Sequence, residues 1–131
     1  MGVRRFEDLI AWQLANDLQQ DIFEFTAKMP AVRDVKFCDQ IRESSRSAPR
    51  NIAEGFGRYY PQEFVRFLRI AVGSLAETNH QLHEALARRY LAEPDHERLV
   101  RLCLRALKAN TSLIRYLLRA TAPAPRIGRG N

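Results

Sequence analysis

Glu77-Thr78-Asn79-His80 has the Glu-x-x-His spacing with which di-iron bundles set two ligands on one helical turn. Such a centre needs a second pair and a further Glu from each remaining helix, all directed inward. The other match, Glu93-Pro94-Asp95-His96, falls in an expected turn, and Glu77 and His80 point away from the apolar side marked by Leu75 and Leu82. No metal ligand set and no cofactor are expected, and His80 and His83 read as surface histidines. Ser44, Ser45 and Ser47 have no histidine nearby in sequence to serve as a base, and read as small residues that let helices pack closely. Gly55-Phe56-Gly57 lacks the Lys-Ser/Thr and the preceding strand of a phosphate loop. No catalytic residue is expected, and the chain reads as a non-enzyme.

The cationic residues are better organised. Arg98, Arg101, Arg105, Lys108, Arg115 and Arg119 project within an arc of about 100° on one helix, opposite its leucine stripe. No Asp or Glu follows Glu97, and Arg126 and Arg129 carry the same sign into the tail. A long stripe of one sign is the footprint of phosphate-backbone binding to RNA or DNA. The alternatives are a solvated face whose charges pair with Asp and Glu of other helices, and a protein-interaction module whose basic face or apolar patches dock an acidic or helical partner protein. Arg42, Arg46 and Arg50 form a second stripe, partly offset by Asp39, Glu43 and Glu54. Nothing points to base-specific reading: there is no zinc finger, no helix-turn-helix spacing and no aromatic RNA platform.

Four helical segments position these residues. The first is expected from about Asp8 to Met29, stopping at Pro30, with Ala11, Leu14, Ala15, Leu18, Ile22, Phe25 and Met29 as its apolar stripe. The second runs from about Asp34 to Phe56 on Phe37, Cys38, Ile41, Ser44, Ser45, Ala48, Ile52 and Phe56. Pro49 should bend it. Near that bend, Asn51 and Glu54 could satisfy freed backbone groups, and Gly55 permits the turn that follows. The third opens at Pro61 and continues to about Tyr90 on Phe64, Leu68, Ala71, Leu75, Thr78, Leu82, Ala85 and Leu86. With Asp95 as N-cap, the fourth runs to about Ala120 on Leu99, Leu102, Cys103, Ala106, Asn110, Leu113, Ile114 and Leu117. Short connections force neighbours antiparallel, so the expected fold is all-α: an up-down-up-down four-helix bundle over residues 1–120, with a disordered, flexible Pro/Gly/Arg tail over residues 121–131.

Two helices carry more apolar surface than one core can use. Trp12 and Phe23 lie about 20° apart around the first helix and about 100° or more from its core centre. Phe67, Ile70, Val65 and Val72 flank the stripe of the third, and Gly73 sits roughly opposite it. Trp12, Phe23, Phe67, Ile70 and Gly73 are therefore the expected contacts between copies in a homo-oligomer.

The bulk numbers fit a single domain. Of 131 residues, 46% are hydrophobic and 27% charged, the balance of a folded chain rather than a disordered one, and the net charge of +6 favours an anionic partner. No apolar run reaches the roughly 20 residues that span a bilayer, and no apolar segment follows Met1-Gly2-Val3-Arg4-Arg5-Phe6. The expected setting is cytoplasmic, with no membrane partner. Cys38 and Cys103 fall on apolar faces and read as reduced core thiols.

Gln40-Ile41-Arg42, Asn51-Ile52-Ala53-Glu54-Gly55, Phe64-Val65-Arg66-Phe67-Leu68 and Gly73-Ser74-Leu75-Ala76-Glu77 form a familiar set, with Phe6-Glu7-Asp8-Leu9 and Ala11-Trp12 before them. Over about Phe6 to Leu91 the chain resembles the bacterial four-helix-bundle proteins encoded in intervening sequences of ribosomal RNA genes. That family is similar to the accessory proteins of diversity-generating retroelements. The resemblance implies a ring-like homo-oligomer, taken as a pentamer, with no enzymatic activity. It also implies RNA or DNA binding, and a partner protein such as a reverse transcriptase. Glu43-Ser44-Ser45 departs from the family pattern of a basic residue followed by small apolar ones, which lowers the positive charge of the second helix.

Overall fold

The computed structural model describes residues 2–121. Four helices account for most of them: α1 (Ile10–Thr26), α2 (Val35–Phe56), α3 (Pro61–Ala87) and α4 (Glu93–Thr121). Each packs on two neighbours, α1 against α2 and α4, and α3 against α2 and α4. This is the antiparallel up-down-up-down bundle, and no strand occurs among the described residues. The expected tail over 121–131 lies outside the described residues, apart from Thr121, which still belongs to α4.

The threes-and-fours spacing of apolar residues becomes the core. Leu18, Ile22, Ile41, Ile52, Leu68, Leu75, Leu82 and Leu99 are fully buried. Burying one such side chain stabilises the fold by about 1.5–3 kcal/mol, so the shared seam outweighs any helix's own propensity. Val65, read from sequence as surplus, is part of this core, and Val72 packs against it. The thiol of Cys103 is buried and donates to the Leu75 carbonyl at 3.2 Å; burial pushes its pKa up to about 12, so it stays protonated and inert.

Helix ends correct the sequence reading in several places. The residues Phe6–Asp8 form a separate 3-10 turn, and α1 begins at Ile10 rather than Asp8. It ends at Thr26, whose hydroxyl bonds back to the Ile22 carbonyl at 2.7 Å. Met29, expected in the core, is 58% exposed, because the residue before a proline is pushed out of helical geometry. Asp95 is not the N-cap of α4 but lies in its first turn, since the helix already starts at Glu93. α3 ends at Ala87, three residues before the expected Tyr90, and Arg89 just beyond it adopts φ 62 and turns the chain. No glycine marks that stop, so periodicity alone overran it.

Asp34 ties these ends together. As N-cap of α2 it accepts from the Phe37 amide at 3.1 Å, from the Tyr90 hydroxyl at 2.6 Å and from Arg88 at 2.9 Å. The Tyr90 hydroxyl, then the Phe37 amide, hold its carboxyl below the usual carboxylate range. A depressed folded-state pKa contributes stability above the ordinary value, and that contribution is lost as pH falls through the lower, folded-state value. Asp34→Asn is therefore expected to lower the melting temperature at neutral pH and flatten its decline in acid. Melting curves that stay a constant distance below wild type from neutral to acid pH would show that Asp34 does not set this limb.

Pro49 is buried inside α2, which continues without interruption to Phe56. Asn51 donates to the Ser47 carbonyl at 2.8 Å, not to the Ser45 carbonyl that Pro49 leaves without its helical donor. Glu54 faces outward and pairs with Arg58 at 2.8 Å. Gly55 does not make a turn: it is buried within α2, where a Cβ would lie 2.7 Å from Phe67 Cβ and 2.9 Å from Phe64 Cδ1. Its lack of a side chain lets α2 and α3 approach.

Candidate nucleic-acid interface

The apolar face of α4 (Leu99, Cys103, Ala106, Asn110, Ile114 and Leu117) is buried against the bundle, so the opposite arc must face solvent. Asn110 is the polar exception, donating to Ala106 at 2.8 Å while its Oδ1 has no partner among the described residues. Arg101, Arg105, Lys108, Arg115 and Arg119 are all exposed along about 27 Å of helix axis. No ion pair joins any of these five to a described carboxylate within 4.0 Å. Arg98 differs, bridging to Asp21 of α1 at 2.9 Å and to Asp95 at 3.7 Å. Arg119, in the last turn, also complements the negative end of the α4 dipole.

The second stripe is tied down. Arg46 and Arg50 share Glu43 at 3.6 and 3.2 Å, and Arg42 donates to the Thr26 hydroxyl at 2.8 Å. Arg42 and Arg46 also cover the Phe23 ring, at 5.1 and 5.3 Å from its centroid. The three arginines of the α2 stripe are therefore committed within the chain, and the five exposed cations of α4 beyond Arg98 are not.

The five expected interface residues do not come together. Trp12 is half-buried and meets Phe6 edge-to-face at 5.2 Å, and Phe23 lies under the two arginines of α2. Phe67, on α3, is flanked by Arg58 and Arg66 at 4.9 and 4.6 Å. Ile70 is 42% exposed, and nothing lies within 4 Å of a Cβ built on Gly73. Trp12 and Phe23 thus mark one side of the bundle, and Ile70 and Gly73 another.

The remaining chemistry-bearing residues find structural partners. Ser44 bonds to Thr78 at 2.8 Å and to Gln81 in a buried polar seam between α2 and α3, and Ser47 meets Ser74 at 2.7 Å. Glu77 and His80 face a groove over that seam, where His80 pairs with Glu84 at 3.3 Å. Among the described residues no three His, Cys, Asp or Glu side chains gather as a metal site would require. One pair escaped the sequence reading: His96, buried in the first turn of α4 rather than in a turn, lies 3.2 Å from His83. Its signal was the apolar-face register of His96 relative to Leu99 and Cys103.

The 23S rRNA-intervening sequence protein family matches residues 7–112 in its sequence profile. A crystal structure of a protein of unknown function from the S23 ribosomal protein family of Bacteroides thetaiotaomicron superposes with a TM-score of 0.76 at 19% identity, covering 83% of this chain and 98% of that one. At that identity the likeness is one of fold. No curated protein matches the chain in sequence. No described helix is long and apolar enough to cross a membrane.

Proposed function

The chain belongs to the 23S rRNA-intervening sequence protein family, and on that footing we propose that it is a non-catalytic, cytoplasmic, homo-oligomeric scaffold that binds RNA or DNA through the basic face of α4. The observation that carries this reading is the contrast between the two stripes. In the α2 stripe Arg46 and Arg50 are paired with Glu43, and Arg42 is bonded to the Thr26 hydroxyl. Along α4 five cations stay in one line with no carboxylate against them. A closed ring, taken as a pentamer, would repeat that line and turn weak contacts into avidity.

A salt titration tests it. With a labelled single-stranded oligonucleotide, log affinity should fall against log salt by about 0.7 per phosphate neutralised, or roughly 3 to 4 if all five cations engage. Protein that ignores both RNA and DNA at low salt would leave the stripe as a solvated face.

A second reading has its own observation: Ile70 and Gly73 face outward with nothing from the chain over Gly73. A protein partner, such as a reverse transcriptase of the kind served by retroelement accessory proteins, would use that surface. Binding that is insensitive to salt favours it.

A further inference from the structure

Tyrosines dispersed in sequence meet at one end of the bundle. Tyr59 and Tyr60 end the α2–α3 connection and stand edge-to-face, ring centroids 5.0 Å apart. Tyr59 is 89% exposed, Tyr60 59%. The last turns of α4 reach the same place, so that Tyr59 and Tyr116 line one shallow cleft of about 280 Å³ with Phe56, Arg58 and Pro61. No carboxylate lines it. Arg58 forms one wall and is held there by Glu54 and by the Phe67 ring. Arg115 and Arg119, the last two cations of the α4 stripe, sit one residue before and three residues after Tyr116. Three residues along a helix places Arg119 beside the tyrosine on the surface.

Large aromatic rings left in water beside uncompensated cations need a partner that is flat, apolar on its faces and anionic at its edge. An unpaired nucleotide meets all three requirements. Its base stacks on a tyrosine, while its phosphate lies toward the arginines. A base in a duplex is already stacked on its neighbours and cannot offer its face. We propose that the Tyr59/Tyr116 end of the bundle is a stacking site for unpaired bases, making single-stranded nucleic acid the class this chain takes. The inference rests on the proposed function, because the stripe delivers the backbone that the tyrosines then read.

The test compares a short labelled oligouridylate with an RNA duplex of the same length, by fluorescence anisotropy at fixed salt. Wild type should bind the single strand more tightly. Tyr59→Ala and Tyr116→Ala should each weaken that binding about fivefold or more, the effect of losing one stacked base, and leave duplex binding and the salt slope unchanged. Tyr116→Phe should bind as wild type, since stacking needs the ring and not the hydroxyl. Circular dichroism and sedimentation of Tyr59→Ala, whose side chain is almost wholly in solvent, should match wild type. Equal binding of strand and duplex, or alanine variants that bind as wild type, would overturn the stacking site while leaving the basic stripe intact. Loss of the multimer in Tyr59→Ala would make this end a contact between copies and overturn it too. Wild type that binds neither nucleic acid would remove both proposals.

Discussion

Replacing Arg101, Arg105 and Arg115 together with Gln is expected to weaken single-stranded nucleic-acid binding on the order of 100-fold at about 0.1 M salt. The magnitude follows from counterion release. Each phosphate contact to a single strand contributes about 0.7 to the log–log slope, and its gain shrinks toward zero near molar salt. Three lost contacts therefore flatten the slope by about 2 and cost about two decades at moderate ionic strength. The loss should not depend on base sequence, because phosphates position a strand without identifying it. Helicity and assembly should be unchanged: all three side chains are exposed on the arc opposite Leu99 and Ile114 and pair with no described carboxylate. The matching control is Arg98→Gln, which removes a cation already bridged to Asp21 and should have a smaller effect on binding. If the triple variant keeps wild-type affinity and slope, the α4 face is not where nucleic acid binds.

Gly55→Ala is expected to destabilise the fold by about 1–2 kcal/mol, although alanine is the better helix former. The propensity gain of up to about 1 kcal/mol is set against overpacking of about 1–3 kcal/mol. Overpacking wins here because the obstacle is Phe67 Cβ at 2.7 Å, an atom fixed to the α3 backbone that cannot rotate away. Relief requires α2 and α3 to separate, which opens the seam around Phe64 and Leu68. Gly55→Leu should cost more and should disturb the aromatic contact between Phe56 and Phe64, now edge-to-face at 6.0 Å. Urea unfolding measures both. A Gly55→Ala protein more stable than wild type would mean that the two helices yield at this crossing without loss. Gly73→Ala is the built-in comparison: nothing lies within 4 Å of its Cβ, so propensity alone acts and stability should rise by up to about 1 kcal/mol if the face stays open to solvent.

Gly55 and Gly73 look alike in sequence, each a glycine within a helical period, and only their surroundings separate them. The same division runs through the candidate site. That Arg101, Arg105, Lys108, Arg115 and Arg119 share a face was legible from spacing, because one helix's angular geometry places its own side chains. Pairing of Arg98 with Asp21 was not, since it depends on the rotation of α1 against α4. Tyr59 and Tyr116 were invisible as a pair for a similar reason: a connecting loop and the last turn of α4 become neighbours only when the bundle closes.

Local periodicity and breakers determined the four helices, their antiparallel order and the buried stripes, because each signal lies within a few turns of one segment. Leu18, Ile41, Leu75 and Leu99 would be core residues in almost any packing of those helices. Tertiary structure alone decided where α3 ends, through Arg89 turning the chain so that Tyr90 reaches Asp34, and which cations remain uncompensated. Those outcomes depend on distances between segments far apart in sequence. Such distances are set jointly by every side chain in the seam, Gly55 among them, and no single stretch of the chain encodes them.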